Sequence, residues 1–170
     1  MTKPLICDLP YPDIEKLTID IRSAKIISFA YATLYGELAA TLQYQYHHLW
    51  IDVESIATLY EQIAMAEMIH LNLLGKAMKQ LGLDPLYRQN PQTPNVWYNT
   101  STVSSSKTLP KMLLDDIQGE MNAIADYKKM LSLLKNEDVA ALIERIVMDE
   151  ELHLSKLSEA YKKICDSHKQ

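Results

Sequence analysis

Glycine and cysteine are both scarce in this sequence. Glycine occurs four times in 170 residues, while Ala, Leu, Met, Lys and Glu, which lose least on entering a helix, are abundant. An all-α chain is the expectation. Cysteine occurs twice, as Cys7 and Cys165 near opposite ends. That is too few for a disulfide framework, and both are read as unpaired thiols in a reducing compartment. No Lys/Arg cluster is able to track phosphates, and with a net charge of −5 this argues against nucleic acid as the main partner. No apolar run approaches the roughly eighteen residues of a membrane span. Met1 to Asp8 turns polar too soon for a secretory signal. A cytoplasmic protein that neither enters a membrane nor binds nucleic acid is therefore expected.

What is present is enough hydrophobic content, 48% against 23% charged, for a single domain over residues 1–170 with a well-buried core. Pro4, Pro10 and Pro12 make residues 1–12 an extended arm. From about Asp13 or Thr18 to about Trp50, Ile21, Ala24, Ile27, Tyr31, Leu34, Leu38 and Thr41 recur every three to four residues, which predicts one helix. A break near Ile51 and Asp52 precedes a second helix from about Glu54 to Gly82. A connection that short makes the two an antiparallel hairpin.

Residues 84–109 differ in kind, because Pro85, Pro91, Pro94, Asn90, Asn95, Asn99 and Ser104 to Ser106 all disfavour a helix. Such a length serves a crossover spanning the bundle, roughly 30 Å, to a third helix parallel to the second. Pro110 suits the first turn of that helix, which runs to about Leu134, and a polar turn at Lys135 to Asp138 leads to a fourth ending near Cys165.

On this frame lies a duplicated pattern. Glu67 and His70 stand three apart, as do Glu150 and His153, and each pair follows a lone Glu, Glu37 or Glu120, by thirty residues (67 − 37 and 150 − 120). Residues three apart on a helix share a face, so each Glu-x-x-His aims a carboxylate and an imidazole at one point. Four carboxylates and two histidines converging in a four-helix bundle are the ligand set of a carboxylate-bridged metal pair. Gly36 and Gly119 each precede the lone Glu, and Tyr44 and Tyr127 each follow it by seven, as an internal duplication would leave them.

The surroundings separate this reading from a solvated surface. Ala30, Leu34, Ala40 and Tyr44 flank Glu37, Ile63, Ala64, Leu71 and Leu74 flank the second-helix pair, and Ile143, Ile146, Val147, Leu154 and Leu157 flank the fourth-helix pair. Glu120 is flanked by Leu113, Ile117, Ala123, Ile124 and Tyr127. Four buried carboxylates without partners would cost several kcal/mol each, and no Lys or Arg falls at these positions to pair with them. Two divalent cations supply the missing charge. Helical geometry returns Tyr44 and Tyr127 to the ligand face, where each is read first as ordinary core packing and second as a hydrogen-bond partner of a ligand carboxylate, and Asp149 is placed to orient a histidine across the bundle. Asp116, four before Glu120, is read either as supporting the ligands or as surface, and His47 and His48 near a helix end are read as surface residues.

Particular segments carry a family resemblance. Glu37-Leu38 followed by Gln43-Tyr44 is similar to the first metal-binding helix of bacterioferritins, and Asp149-Glu150-Glu151-Leu152-His153 is similar to the Asp-Glu-x-x-His of their last. Pro10-Tyr11-Pro12 looks more like manganese catalases and related spore-coat proteins. The chain resembles the ferritin-like dinuclear carboxylate superfamily, which includes bacterioferritins, rubrerythrins and manganese catalases, over essentially the whole bundle. The resemblance implies a ferritin-like up-down-down-up four-helix bundle holding two Fe or two Mn ions. Glu37 and Glu120 would each bind one ion terminally, Glu67 and Glu150 would bridge, and His70 and His153 would each bind one ion. In manganese catalases the residue matching Glu150 acts from outside the ligand shell.

The chain also departs from these relatives. There is no Cys-x-x-Cys pair, so the rubredoxin-like domain typical of rubrerythrins is not expected within these residues, and Ile117 and Ala123 stand where rubrerythrins carry a further Glu. Ala66 precedes Glu67 where bacterioferritins often have Asp, which leaves one histidine without its expected outer partner. Met68 matches their haem-ligating methionine in position, but among eight Met it is read as a core or interface residue.

Hard carboxylate oxygens with one imidazole per metal suit Fe(II) or Mn(II). Two such ions roughly 3.5–4 Å apart can deliver two electrons to peroxide or dioxygen. The leading expectation is an oxidoreductase using peroxide or dioxygen, with Tyr44 and Asp149 as its supporting catalytic residues and an electron donor still to be identified. The rival is a ferritin-like storage, structural or coat subunit without turnover. Tyr87, Trp97 and Tyr98 in the crossover suit either a homo-oligomer contact or packing over the chain's own bundle.

Overall fold

Every regular element of the described residues, 2–167, is a helix in the computed structural model, and the one β contact among them is an isolated bridge between Arg88 and Trp97. After a 3-10 turn at Ile14–Lys16 come α1 (Ile21–Tyr31), α2 (Glu37–His48), α3 (Glu54–Gln80), α4 (Leu109–Leu133) and α5 (Glu137–Ser167). No described helix is long and apolar enough to cross a membrane.

The single first helix expected from the periodicity is two helices. The break falls where a Cβ on Gly36 would sit 2.5 Å from the Ala30 carbonyl oxygen, so the chain turns back on the end of α1 at a distance no side chain permits. Thr33 Oγ1 donates to the Phe29 carbonyl oxygen at 2.8 Å and occupies an acceptor at the end of α1. The break has a use. It makes Glu37 the first residue of α2, where unpaired backbone N–H groups and the helix dipole favour a carboxylate.

The other boundaries follow local chemistry. Asp20 caps α1, its carboxylate accepting from Ser23 N at 3.1 Å and from Ser23 Oγ at 2.6 Å. α3 ends in a Schellman turn, with Gly82 at φ +92°, Gly82 N donating to the Lys79 oxygen at 3.1 Å and Leu83 N to the Met78 oxygen at 2.9 Å. Pro110 lies in the first turn of α4.

Short links make α2 with α3, and α4 with α5, antiparallel hairpins, and the long segment between α3 and α4 returns the chain to the end where α3 began. The order is up-down-down-up with the first helix interrupted. The crossover is pinned beside α2, since Thr102 Oγ1 donates to the Leu34 oxygen at 2.5 Å and Ser104 N to Gln43 Oε1 at 2.9 Å. Tyr87 stacks on Tyr31 at 5.5 Å, packing on the chain's own bundle, while Trp97 stays 55% exposed.

Two apolar clusters fill the bundle. One takes Leu71, Leu74 and Met78 of α3, Tyr127 and Met130 of α4, and Leu142, Ile143 and Ile146 of α5. The other takes Ile56, Tyr60 and Ile63 of α3, Met112 and Leu113 of α4, and Leu157 of α5. Glu67 and His70, Glu120, and Glu150 and His153 fall in the sequence gaps between these sets on all three helices. The carboxylates thus lie in a polar slab between two apolar clusters, which shield them from water along the length of the bundle.

Residues 2–12 run along α3 and α5 without helical structure. Leu5 N donates to the Gln62 oxygen at 3.0 Å, and Arg145 of α5 donates to the backbone oxygens of Cys7 at 2.8 Å and Leu9 at 3.0 Å.

Candidate metal centre

Two four-residue sets come together among the described residues. Glu37, Glu67, His70 and Glu150 form one, Glu67, Glu120, Glu150 and His153 the other, and in each the ligand atoms lie within 4.8 Å of one another. Glu67 and Glu150 belong to both sets, the placement of bridging carboxylates. All six residues are buried. His70 Nδ1 lies 3.1 Å from Glu150 Oε1 and 3.6 Å from Glu37 Oε2, and His153 Nδ1 lies 3.1 Å from Glu67 Oε1 and 3.2 Å from Glu150 Oε2. The imidazoles stack with centroids 6.0 Å apart.

The opposite nitrogens are fixed from outside. His153 Nε2 is 2.8 Å from the Leu5 carbonyl oxygen, which can only accept, so Nε2 carries the proton and Nδ1 turns its lone pair to the carboxylates. His70 Nε2 is 3.1 Å from Asp149 Oδ2 and is held the same way by a side chain. Asp149 also accepts from Tyr11 Oη at 2.6 Å and Cys7 N at 2.7 Å and pairs with Arg145 Nη1 at 2.6 Å, with the guanidinium 4.4 Å over the Tyr11 ring. Burial opposes the charge on Asp149, but hydrogen bonds from His70, Arg145 and Tyr11 outweigh it and hold the carboxyl below the usual range.

The tyrosines cross between the hairpins. Tyr44 of α2 donates to Glu120 of α4, and Tyr127 of α4 donates to Glu37 of α2. Each lone Glu therefore has one oxygen fixed by the opposite hairpin. Burial, then the neighbouring carboxylates, push both phenols well above their ordinary range and keep them protonated donors.

Whether cations fit is decided by the atoms that face inward. Glu37 Oε2, Glu67 Oε1, His70 Nδ1 and Glu150 Oε1 are all buried without a hydrogen-bond partner, and all belong to the six converging residues. Lone pairs facing lone pairs at about 3 Å need positive charge between them. Protons are one source. Burial and then the Glu150 charge push Glu67 and Glu120 well above the carboxylate range, and the carboxylates overcome burial to raise both histidines. Glu150 moves the other way, because the two histidines outweigh its burial. Metal ions compete with these protons for the same atoms.

Several positions differ from their sequence reading. His47 is fully buried rather than on the surface, because Asp116, also buried, meets its Nδ1 at 2.8 Å. Gln43 donates to the same aspartate at 2.6 Å. Of the two readings of Met68, core and interface, its 47% exposure removes the core one. His153 has the outer partner that Ala66 denies it, supplied by the arm. The sequence reading gives Arg145 no part, although it stands four before Asp149, and a backbone carbonyl such as that of Leu5 leaves no signal at all.

The fold is shared with a manganese catalase from Anabaena at a TM-score of 0.83 and 18% identity, over 93% of this chain and 79% of that one. It is shared as well with a dodecameric thioferritin from Bacteroides fragilis at a TM-score of 0.72 and 17% identity, over 89% of this chain and 92% of that one. No curated protein sequence matches the chain. Residues 30–161, which hold all six inward-facing side chains, match the family model for rubrerythrin, and the chain belongs to the rubrerythrin family of dinuclear carboxylate proteins.

Proposed function

We propose that this protein is an oxidoreductase that uses a pair of iron or manganese ions to act on hydrogen peroxide or dioxygen. The observation that carries the reading is the sharing of Glu67 and Glu150 between two ligand sets that are otherwise separate. Glu37 and His70 would complete one site, and Glu120 and His153 the other. Two such ions, held by these residues, would supply two-electron redox chemistry toward peroxide or dioxygen.

The chain's own residues set the conditions for that chemistry. Tyr44 and Tyr127 hold Glu120 and Glu37 from swinging and keep phenol protons at Oη beside the reacting space. Asp149 fixes the tautomer of His70, and the Leu5 carbonyl fixes that of His153. The apolar clusters on either side shield the site from bulk water along the length of the bundle. Continued reduction of peroxide needs an external electron donor, whereas disproportionation needs none. We place the protein in the cytoplasm as a homo-oligomer built from one ferritin-like domain per chain.

The test is metal analysis followed by turnover. Two ions per chain and consumption of peroxide or dioxygen are expected, and a fully loaded protein that consumes neither refutes the reading. A storage or coat role is the second reading, supported by the bundle it shares with a dodecameric thioferritin. A particle of many subunits that takes up iron beyond two ions per chain would select it.

A further inference from the structure

One duplicated feature has no part in ligation. Gly36 and Gly119 occupy matching positions, but they do different things. Gly36 is required by the close approach of Ala30, whereas a Cβ on Gly119 would meet nothing within 4 Å. Gly119 sits inside the unbroken helix α4, where glycine is among the poorest choices and no neighbour asks for it. It is exposed, yet it borders a cavity whose inner end is formed by Glu37, Glu67, Glu120 and Glu150. The residue immediately before a buried inward-facing carboxylate therefore opens on solvent.

The cavity lies between α2 and α4. Its exposed edge is formed by Phe29, Tyr35, Asn122 and Asp126 together with Gly119, and farther in the two helices line it with the small side chains of Ala40 and of Ala123, one turn beyond Gly119. The opposite side of the centre is covered by the arm, where Leu5 bonds His153 and the α3 backbone. The volume is about 90 Å³. That accommodates a few water-sized groups and falls short of the ~150 Å³ of an engineered cavity that holds benzene. The wall is largely apolar, and its polar groups stand at the two ends, Asn122 and Asp126 at the exposed edge and the glutamates at the inner end.

Building on the dinuclear reading above, we infer that the α2–α4 cavity is the path by which substrate reaches the carboxylates, and that Gly119 sets its bore for a molecule the size of hydrogen peroxide. Bulky organic hydroperoxides are excluded.

The test uses the full chain loaded with iron and oxidised to the ferric state. Azide, a compact anion, is mixed with the wild type and with Gly119→Ala, Gly119→Val and Gly119→Phe, and the absorbance change gives its association rate. The account expects rates that fall in that order, by at least tenfold at Phe, with metal content and melting temperature held or raised. If the Phe variant does not fold, the Ala and Val variants still report the gradation. Rates independent of residue 119, or azide that never perturbs the wild-type spectrum, would overturn the assignment. In parallel, kcat/KM for hydrogen peroxide should exceed that for cumene hydroperoxide by at least a hundredfold, and equal values also overturn it. If the loaded wild type turns over neither peroxide nor dioxygen while azide rates still grade with residue size, the oxidoreductase reading fails and the access path stands.

Discussion

The two histidines of the centre both face the shared carboxylates Glu67 and Glu150 through Nδ1, yet they are held from behind by different means. His70 leans on the side chain of Asp149, and His153 leans on the backbone of Leu5. The difference teaches that the duplicated pattern governs the inward-facing atoms and leaves the outer support free to diverge. It also shows that the arm serves both halves. It reaches His153 directly, and it reaches His70 through Cys7 N and Tyr11 Oη on Asp149.

The largest expected effect breaks what the halves share. Glu67→Gln removes a carboxylate common to both sets, so metal content should fall from two ions to none, whereas Glu120→Gln should spare the site built on Glu37 and His70. Elemental analysis after reconstitution decides this. The metal-free Glu67→Gln protein should also melt higher than the metal-free wild type, because a crowded buried carboxylate has been removed.

Next come the outer supports. Asp149→Ala strands Arg145, which is 5% exposed, and should cost about 3–5 kcal/mol in chemical denaturation. The milder Asp149→Asn should weaken metal binding at the His70 side by roughly 10–100-fold. Deleting residues 2–6 should do the same at the His153 side. Competition titrations with a chelator would separate the two. If the deletion leaves both affinities unchanged, the arm does not support His153.

Acidity probes the same centre as a whole. Glu67, Glu120, His70 and His153 have folded pKa values above their unfolded ones, so what they contribute to stability is present at low pH and is lost as pH rises. The loss begins near ~4.3 for the glutamates and ~6.5 for the histidines. Asp149 and Glu150, held low, act in the opposite sense and lose their contribution only as pH falls below the carboxylate range. The metal-free protein should therefore melt lower at pH 8 than at pH 5, and the gap between metal-loaded and metal-free protein should widen over that interval.

The smallest effect is a control remote from the centre. Asp20→Ala removes the cap of α1 and should cost ~1 kcal/mol without changing metal content.

The parts of this molecule legible in the sequence are those governed by periodicity and residue type. Glu37, Glu67, His70, Glu120, Glu150 and His153 are legible because helical spacing places them and apolar neighbours bury them. The crossover is legible because its prolines and asparagines exclude a helix. The interruption at residues 32–36 is not, because the apolar pattern continues across it and only the contact between Gly36 and Ala30 reveals it. His47 near a helix end has the look of a surface residue until Asp116 arrives from α4, sixty-nine positions away. The Leu5 carbonyl is invisible because every residue has one.

The most direct test of the central claim is a crystal structure of the reconstituted protein with anomalous diffraction at the iron and manganese edges. The account predicts two ions per chain, roughly 3.5–4 Å apart, with Glu67 and Glu150 between them. A single ion, or two ions that share neither glutamate, would contradict it.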